Sequence, residues 1–258
     1  MSDPIVYPVS EPIPQPVPGL SQIQRVIYTF TAPSKTFNDI KAGHRSWWMP
    51  FLIIILFGGL FYGAITEKVT WKVVYENQQR LAPQFAKNMM DQMPPEQRAK
   101  ADAAGPKNQA ITWALSPIGL LIIDLVAALF LWPTINFGFG GKATYGSILA
   151  VEIFSGLVLW PIRFVLGSII CFVESAPEGF NIGNPVPTNI AAFLDQSETP
   201  HALYSLAMSL DVLTIWCLVL TSIGIAAVAG VKRSSGYTVV FGWWALIVIA
   251  GVGFSAMF

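Results

Sequence analysis

The chain has 258 residues, of which 53% are hydrophobic and 12% charged, and its fifteen acids are balanced by fifteen bases. This composition points to a multi-pass membrane protein and leaves no polybasic face for nucleic acid. His44 and His201 stand alone and Cys171 and Cys217 fall inside apolar runs, so no metal-ligand spacing, cofactor motif or nucleophile–base pair emerges, and the reading is against an enzyme.

Residues 1–20 carry six prolines and no base, which predicts a disordered, polyproline-like tail rather than a cleavable signal peptide. Residues 21–258 then form one membrane domain. Ile23, Val26, Ile27 and Phe30 recur at helical spacing, and Phe37 and Ile40 follow Pro33. Arg25, Lys35, Lys41 and Arg45 fall among them, so an amphipathic helix broken near Pro33 is expected to lie flat on an anionic bilayer face. Arg25, Phe30, Pro33, Lys35, Phe37 and Lys41 are its candidate surface for lipid or a partner protein.

The first span is expected at about 47–66, with Ser46 as N-cap and Trp47 and Trp48 in the interfacial belt. The polar stretch 67–110 holds Val74, Leu81, Phe85, Met89 and Met93 on one helical stripe. Pro83 is expected to divide this helical loop and Pro94-Pro95 to end it, with the stripe packed on the bundle or on headgroups. A second span follows at about 111–132, with Asp124 near its middle and a kink at Pro117.

The turn Asn136–Thr144 is rich in glycine but lacks the spacing of a phosphate loop, and reads as a flexible connection. The third span, about 147–173, carries Glu152, Pro161 and Arg163 and is expected to be tilted or broken at Pro161. Eleven residues separate Glu152 from Arg163, so on a continuous helix they share a face but stand about 16 Å apart along the axis. The loop 174–200 holds Glu174, Glu178, Asp195 and Glu198 and no base. The fourth span, about 203–231, opens at Thr199-Pro200 and places Asp211 about ten residues in. After Lys232-Arg233 the fifth span runs over about 237–257. The predicted fold is therefore all-α, a polytopic bundle of five transmembrane helices with an N-terminal interfacial helix.

Five spans put the termini on opposite sides. Seven bases fall on each side, so the short connections decide, and they favour the N-terminus inside and the C-terminus outside. Asp124, Glu152, Arg163 and Asp211 are the intramembrane charges and hence the default functional candidates. An ion pair between Asp124 and Arg163 is the first expectation, with Asp211 as the alternative partner.

Two segments then resemble a known family. Thr29–Phe37 before the first span resembles the entry motif of the Yip (Ypt-interacting protein) domain family, and Leu210–Trp216 (LDVLTIW) is similar to its fourth-span signature. The loop Pro177–Pro185 looks like that of bacterial members, and the resemblance covers about Ile23 to Phe258. Eukaryotic members are implicated in vesicle traffic and Rab GTPase binding at the Golgi, and the long loops 67–110 and 174–200 set this chain apart from them. For this chain the expectation is a non-catalytic scaffold of the bacterial cytoplasmic membrane, with a membrane or cytoplasmic protein, or a second copy, as partner. The rival is a small transporter or channel built on Asp124, Arg163 and Asp211.

Overall fold

The computed structural model describes residues 18–173 and 177–256. The proline-rich tail up to residue 17, Glu174 and the side chain of Glu178 lie outside the described residues. The elements in chain order are α1 (Gln22–Thr31), α2 (Pro33–Lys41), α3 (Trp48–Ala64), α4 (Trp71–Leu81), α5 (Gln84–Asp91) and α6 (Pro95–Ala114). They continue as α7 (Ser116–Pro133), α8 (Tyr145–Ser155), α9 (Trp160–Val173), α10 (His201–Ser209), α11 (Val212–Ala229) and α12 (Arg233–Ser255). The protein is all-α. Among the described residues five helical stretches are long and apolar enough to cross a membrane: Trp48–Val69, Ser116–Gly138, Tyr145–Val173, Val212–Ala229 and Arg233–Ser255. The hydrophobic residues exposed on α7 and α12 (Ile122, Ile123, Leu129, Leu246, Ile249) are what a lipid-facing surface requires.

Backbone chemistry explains where the helices break. Pro83 separates α4 from α5, as the spacing predicts. Pro94-Pro95 ends the stripe but also starts α6, because a proline at N1 sacrifices only an N–H that has no helical partner. The second span consequently begins at Ser116 rather than Ile111, with Pro117 in its first turn. The third span is broken: a 3₁₀ turn at Gly156–Val158 precedes Trp160-Pro161, which changes the register between Glu152 and Arg163. Ser46 does not cap the first span. Trp47 holds that position, without a side-chain cap.

Two corrections matter most. The fourth span is not continuous from residue 203: α10 ends at Ser209, and Asp211 is the N-cap of α11, its carboxylate accepting from the Thr214 N–H at 2.7 Å. Asp211 therefore stands at the mouth of the span, not ten residues inside. The turn after α7 is not flexible either. Asn136 grips Ala143, donating to its carbonyl at 2.8 Å and accepting from its N–H at 2.9 Å.

The N-terminal helices are packed on the bundle. α1 and α2 form a hairpin inserted between the spans, α1 against α8 and α2 against α11 and α8. At its base the Lys41 amine lies over Gly230, just past the end of α11, and near its tip Phe30 meets Trp216 at 6.3 Å between ring centroids. The hairpin is short, since the nine residues of α2 rise only about 12 Å along their axis, and it packs alongside α11 rather than running its full length. Phe37 is fully buried at the seat left by Gly224, where an added Cβ would meet the Phe37 ring at 3.0 Å.

α11 and α12 approach closely, and a Cβ on Gly236 would run into the Ser222 carbonyl oxygen. Small residues let membrane helices touch and gain dispersion contacts that lipid cannot replace. Gly236→Ala is expected to force the pair apart and cost about 1–3 kcal/mol. A thermal melt of the detergent-solubilised protein reads this as a lowered midpoint, and an unchanged midpoint would show that the helices can separate freely.

At the opposite end of the bundle α4 and α6 pack together, and the loop after α9 is stitched to them. Asn77 donates to the carbonyls of Pro177 and Phe180 at 3.1 and 2.9 Å. Val74 is buried as the stripe predicts, but Phe85, Met89 and Met93 are exposed, the arrangement expected of a helix resting on headgroups.

Candidate functional site

The charges in and beside the spans divide into three clusters. The first is a closed latch. Arg163 Nη2 lies 3.0 Å from Asp211 Oδ1, and the Thr188 hydroxyl donates to Asp211 Oδ2. Thr188 also accepts the Val212 N–H on its backbone carbonyl, and Asn189 forms an isolated β-bridge with Asp211. Asp211 is 1% exposed, so each carboxylate oxygen is satisfied inside the protein. Burial alone would raise its pKa, but the hydrogen bonds from Thr188 and Thr214 and the Arg163 charge hold it below the ordinary range. The expected Asp124–Arg163 pair does not form. Arg163 follows the broken third span to the mouth of the fourth, where the alternative partner Asp211 meets it.

The second cluster clasps the hairpin. Arg25 is buried, not turned to headgroups: its Nη1 donates to the carbonyls of His44 and Ser46 at 2.6 and 3.2 Å, and its Nε is 3.5 Å from Asp39 Oδ2. His44 Nδ1 lies 3.0 Å from Asp39 Oδ1, which also accepts the Leu20 N–H. The hydroxyls of Thr29 and Thr36 both donate to the Arg25 carbonyl, tying α1 to α2 across the tight tip at Pro33. Of the six residues expected on a surface, Arg25 and Phe37 are therefore core residues, and Pro33 is half-buried at the tip. Phe30, Lys35 and Lys41 are exposed, with Lys35 set over the Tyr28 ring at 4.7 Å.

The third cluster is unpaired. Asp124 is half-buried on α7 and has no ion-pair partner among the described residues. Glu152 on α8 keeps Oε1 sealed from solvent without a hydrogen-bond partner among them. The two carboxyls are close enough for the Asp124 charge to be felt at Glu152. Cys171 and Cys217 are free thiols, and no group of three metal-ligating side chains occurs among the described residues.

This geometry gives physical content to the two motif segments. In Leu210–Trp216, Asp211 caps and latches the fourth span, Leu213 is buried, and Trp216 receives the hairpin tip. In Thr29–Phe37, the threonines close the tip and Phe37 locks it into the bundle. A family model of the Yip1 domain matches residues 27–254, from within the hairpin almost to the end of the fifth span. The chain belongs to the Yip1 domain family. No curated protein and no solved structure matches it. In this Yip1 domain protein the ties that sequence reasoning missed are Thr188, Asp39, Asn77 and Asn136. Each is a small polar residue whose partner lies in another segment, and no spacing pattern announces that.

Proposed function

We propose that this Yip1 domain protein is a non-catalytic scaffold of the bacterial cytoplasmic membrane, with its N-terminus inside, that engages a protein partner through its cytoplasmic end. The observation that carries the reading is the crowding of exposed bases at one end. Lys41, Arg45, Lys142, Lys232 and Arg233 are all exposed on the loops that share the end of α11, where the Lys142 N–H donates to the Ala229 carbonyl. The one acid of the hairpin, Asp39, is consumed in the Arg25 clasp. Such a rim suits the inner leaflet by the positive-inside rule and offers a flat, cationic face to an acidic partner.

The rival transporter reading needs Asp124, Arg163 and Asp211 along one path. Arg163 and Asp211 are bonded to each other and to Thr188, and Asp124 takes no part, which favours structural ties over a relay. Capture of the full-length protein from native membranes into nanodiscs, followed by mass spectrometry, tests the scaffold. A stoichiometric partner is expected, reduced at least tenfold in the Lys41→Gln, Lys142→Gln, Lys232→Gln triple variant. A protein that purifies alone or only as a homo-oligomer would sink the adaptor.

A further inference from the structure

A slot of about 470 Å³ opens sideways toward lipid between α7, α11 and α12, with α8 behind it. Its walls are apolar, built from Ile122, Val126 and Phe130 on one side and Val240, Trp243 and Ile247 on the other. The only polar residues among its lining are Glu152, Thr221 and Cys217. The volume lies in the range of small-molecule sites, and an apolar cleft converging on a few polar groups is how such sites are built.

What fills the slot must answer the carboxyl. Glu152 is the one acidic side chain among the residues lining the slot, and a plain acyl chain would leave it facing hydrocarbon without a polar partner there. No lysine or arginine lines the slot, so a cation is the occupant that would complement its single carboxyl. Glu152 is seven residues beyond Tyr145 at the start of α8, about 10 Å along the helix axis. A bulky phospholipid headgroup would have to be dragged to that depth, whereas a bare ammonium costs far less to carry in.

We propose that this slot binds a single-chain amphiphile with a primary ammonium head. The alkyl chain lies along the α7–α12 walls and the ammonium donates to Glu152, with Thr221 beside it. This role is separate from partner capture at the cytoplasmic rim.

The test uses full-length protein in nanodiscs and three matched photoreactive probes: diazirine-bearing hexadecylamine, hexadecanol and hexadecanoic acid. Amine labelling is expected to be saturable, competed by plain hexadecylamine, and confined to peptides covering residues 122–130 and 240–247. It should exceed alcohol labelling at least tenfold and fall at least tenfold in Glu152→Gln. Val126→Trp, which fills the slot and leaves Glu152 in place, should abolish it. Melting curves of both variants control for folding. Equal labelling by amine and alcohol, labelling spread over all lipid-facing helices, or amine labelling unchanged in Glu152→Gln would overturn the proposal.

Discussion

Asp211→Ala is expected to be the most destabilising single substitution in the bundle. It strands the Arg163 guanidinium, whose side chain is only 25% exposed, and removes the cap of α11 together with the Thr188 tie. Breaking a buried pair costs about 3–5 kcal/mol; partial exposure of Arg163 puts its share near the lower figure, and loss of the cap adds about 1 kcal/mol. Asp211→Asn keeps a good N-cap and a partner for Thr188 and should cost about half as much. Arg163→Met combined with Asp211→Asn should recover part of that loss, because neither charge is then orphaned. Denaturant-gradient unfolding in a mild detergent, followed by tryptophan fluorescence, measures all three. If Asp211→Ala matched the wild type, the latch would be no more than an incidental contact.

The same residue sets an acid limit. Its folded-state pKa is depressed, so its contribution is fully present above the unfolded value near 3.9 and is lost as pH falls through the lower folded value. The wild type should therefore lose stability below about pH 4 relative to Asp211→Asn, which has no such titration. Parallel pH profiles for the two proteins would refute that assignment.

Phe37→Ala is expected to free the N-terminal hairpin. The ring is fully buried against α11, and truncating a buried phenylalanine costs about 3–5 kcal/mol in soluble cores. In a membrane the loss is one of packing rather than of water exclusion, so about 3 kcal/mol is the better figure. Hydrogen exchange of the 22–41 amides should accelerate by about two orders of magnitude, while α8 and α11 stay protected. Unchanged exchange would mean the hairpin is held by the Arg25 clasp alone. Acceleration throughout the bundle would make Phe37 a general core residue rather than the hairpin's lock.

Much of the fold was legible because lipid imposes simple demands on sequence. Uninterrupted apolar runs marked the five spans, four of them to within about six residues and the fourth starting nine residues too early, and Pro33, Pro83, Pro117 and Pro161 marked real breaks or starts, since proline lacks the N–H a helix interior needs. The charges Asp124, Glu152, Arg163 and Asp211 stood out for the same reason: their cost in hydrocarbon makes them rare. Which of them would meet was a different matter. The break at Gly156–Leu159 moved Arg163 off the face it would share with Glu152, and the break at Leu210 brought Asp211 to the mouth of its span.

The hairpin shows the same limit. Its periodicity, Ile23, Val26, Ile27, Phe30, then Phe37 and Ile40, reads identically whether the apolar faces meet lipid headgroups or the interior of a bundle. The chain by itself determined the membrane class, the five spans, the breaks that proline marks and the scarcity of charge within the spans, because each follows from backbone hydrogen bonding and solvation counted along one segment. Only the tertiary structure decided that α1 and α2 pack into the bundle, that Arg163 and Thr188 both hold Asp211, and that Glu152 is left unpaired beside a slot between the spans. Those outcomes depend on which small residues, such as Gly224 and Gly236, allow helices to approach, and contacts between distant segments have no period to read.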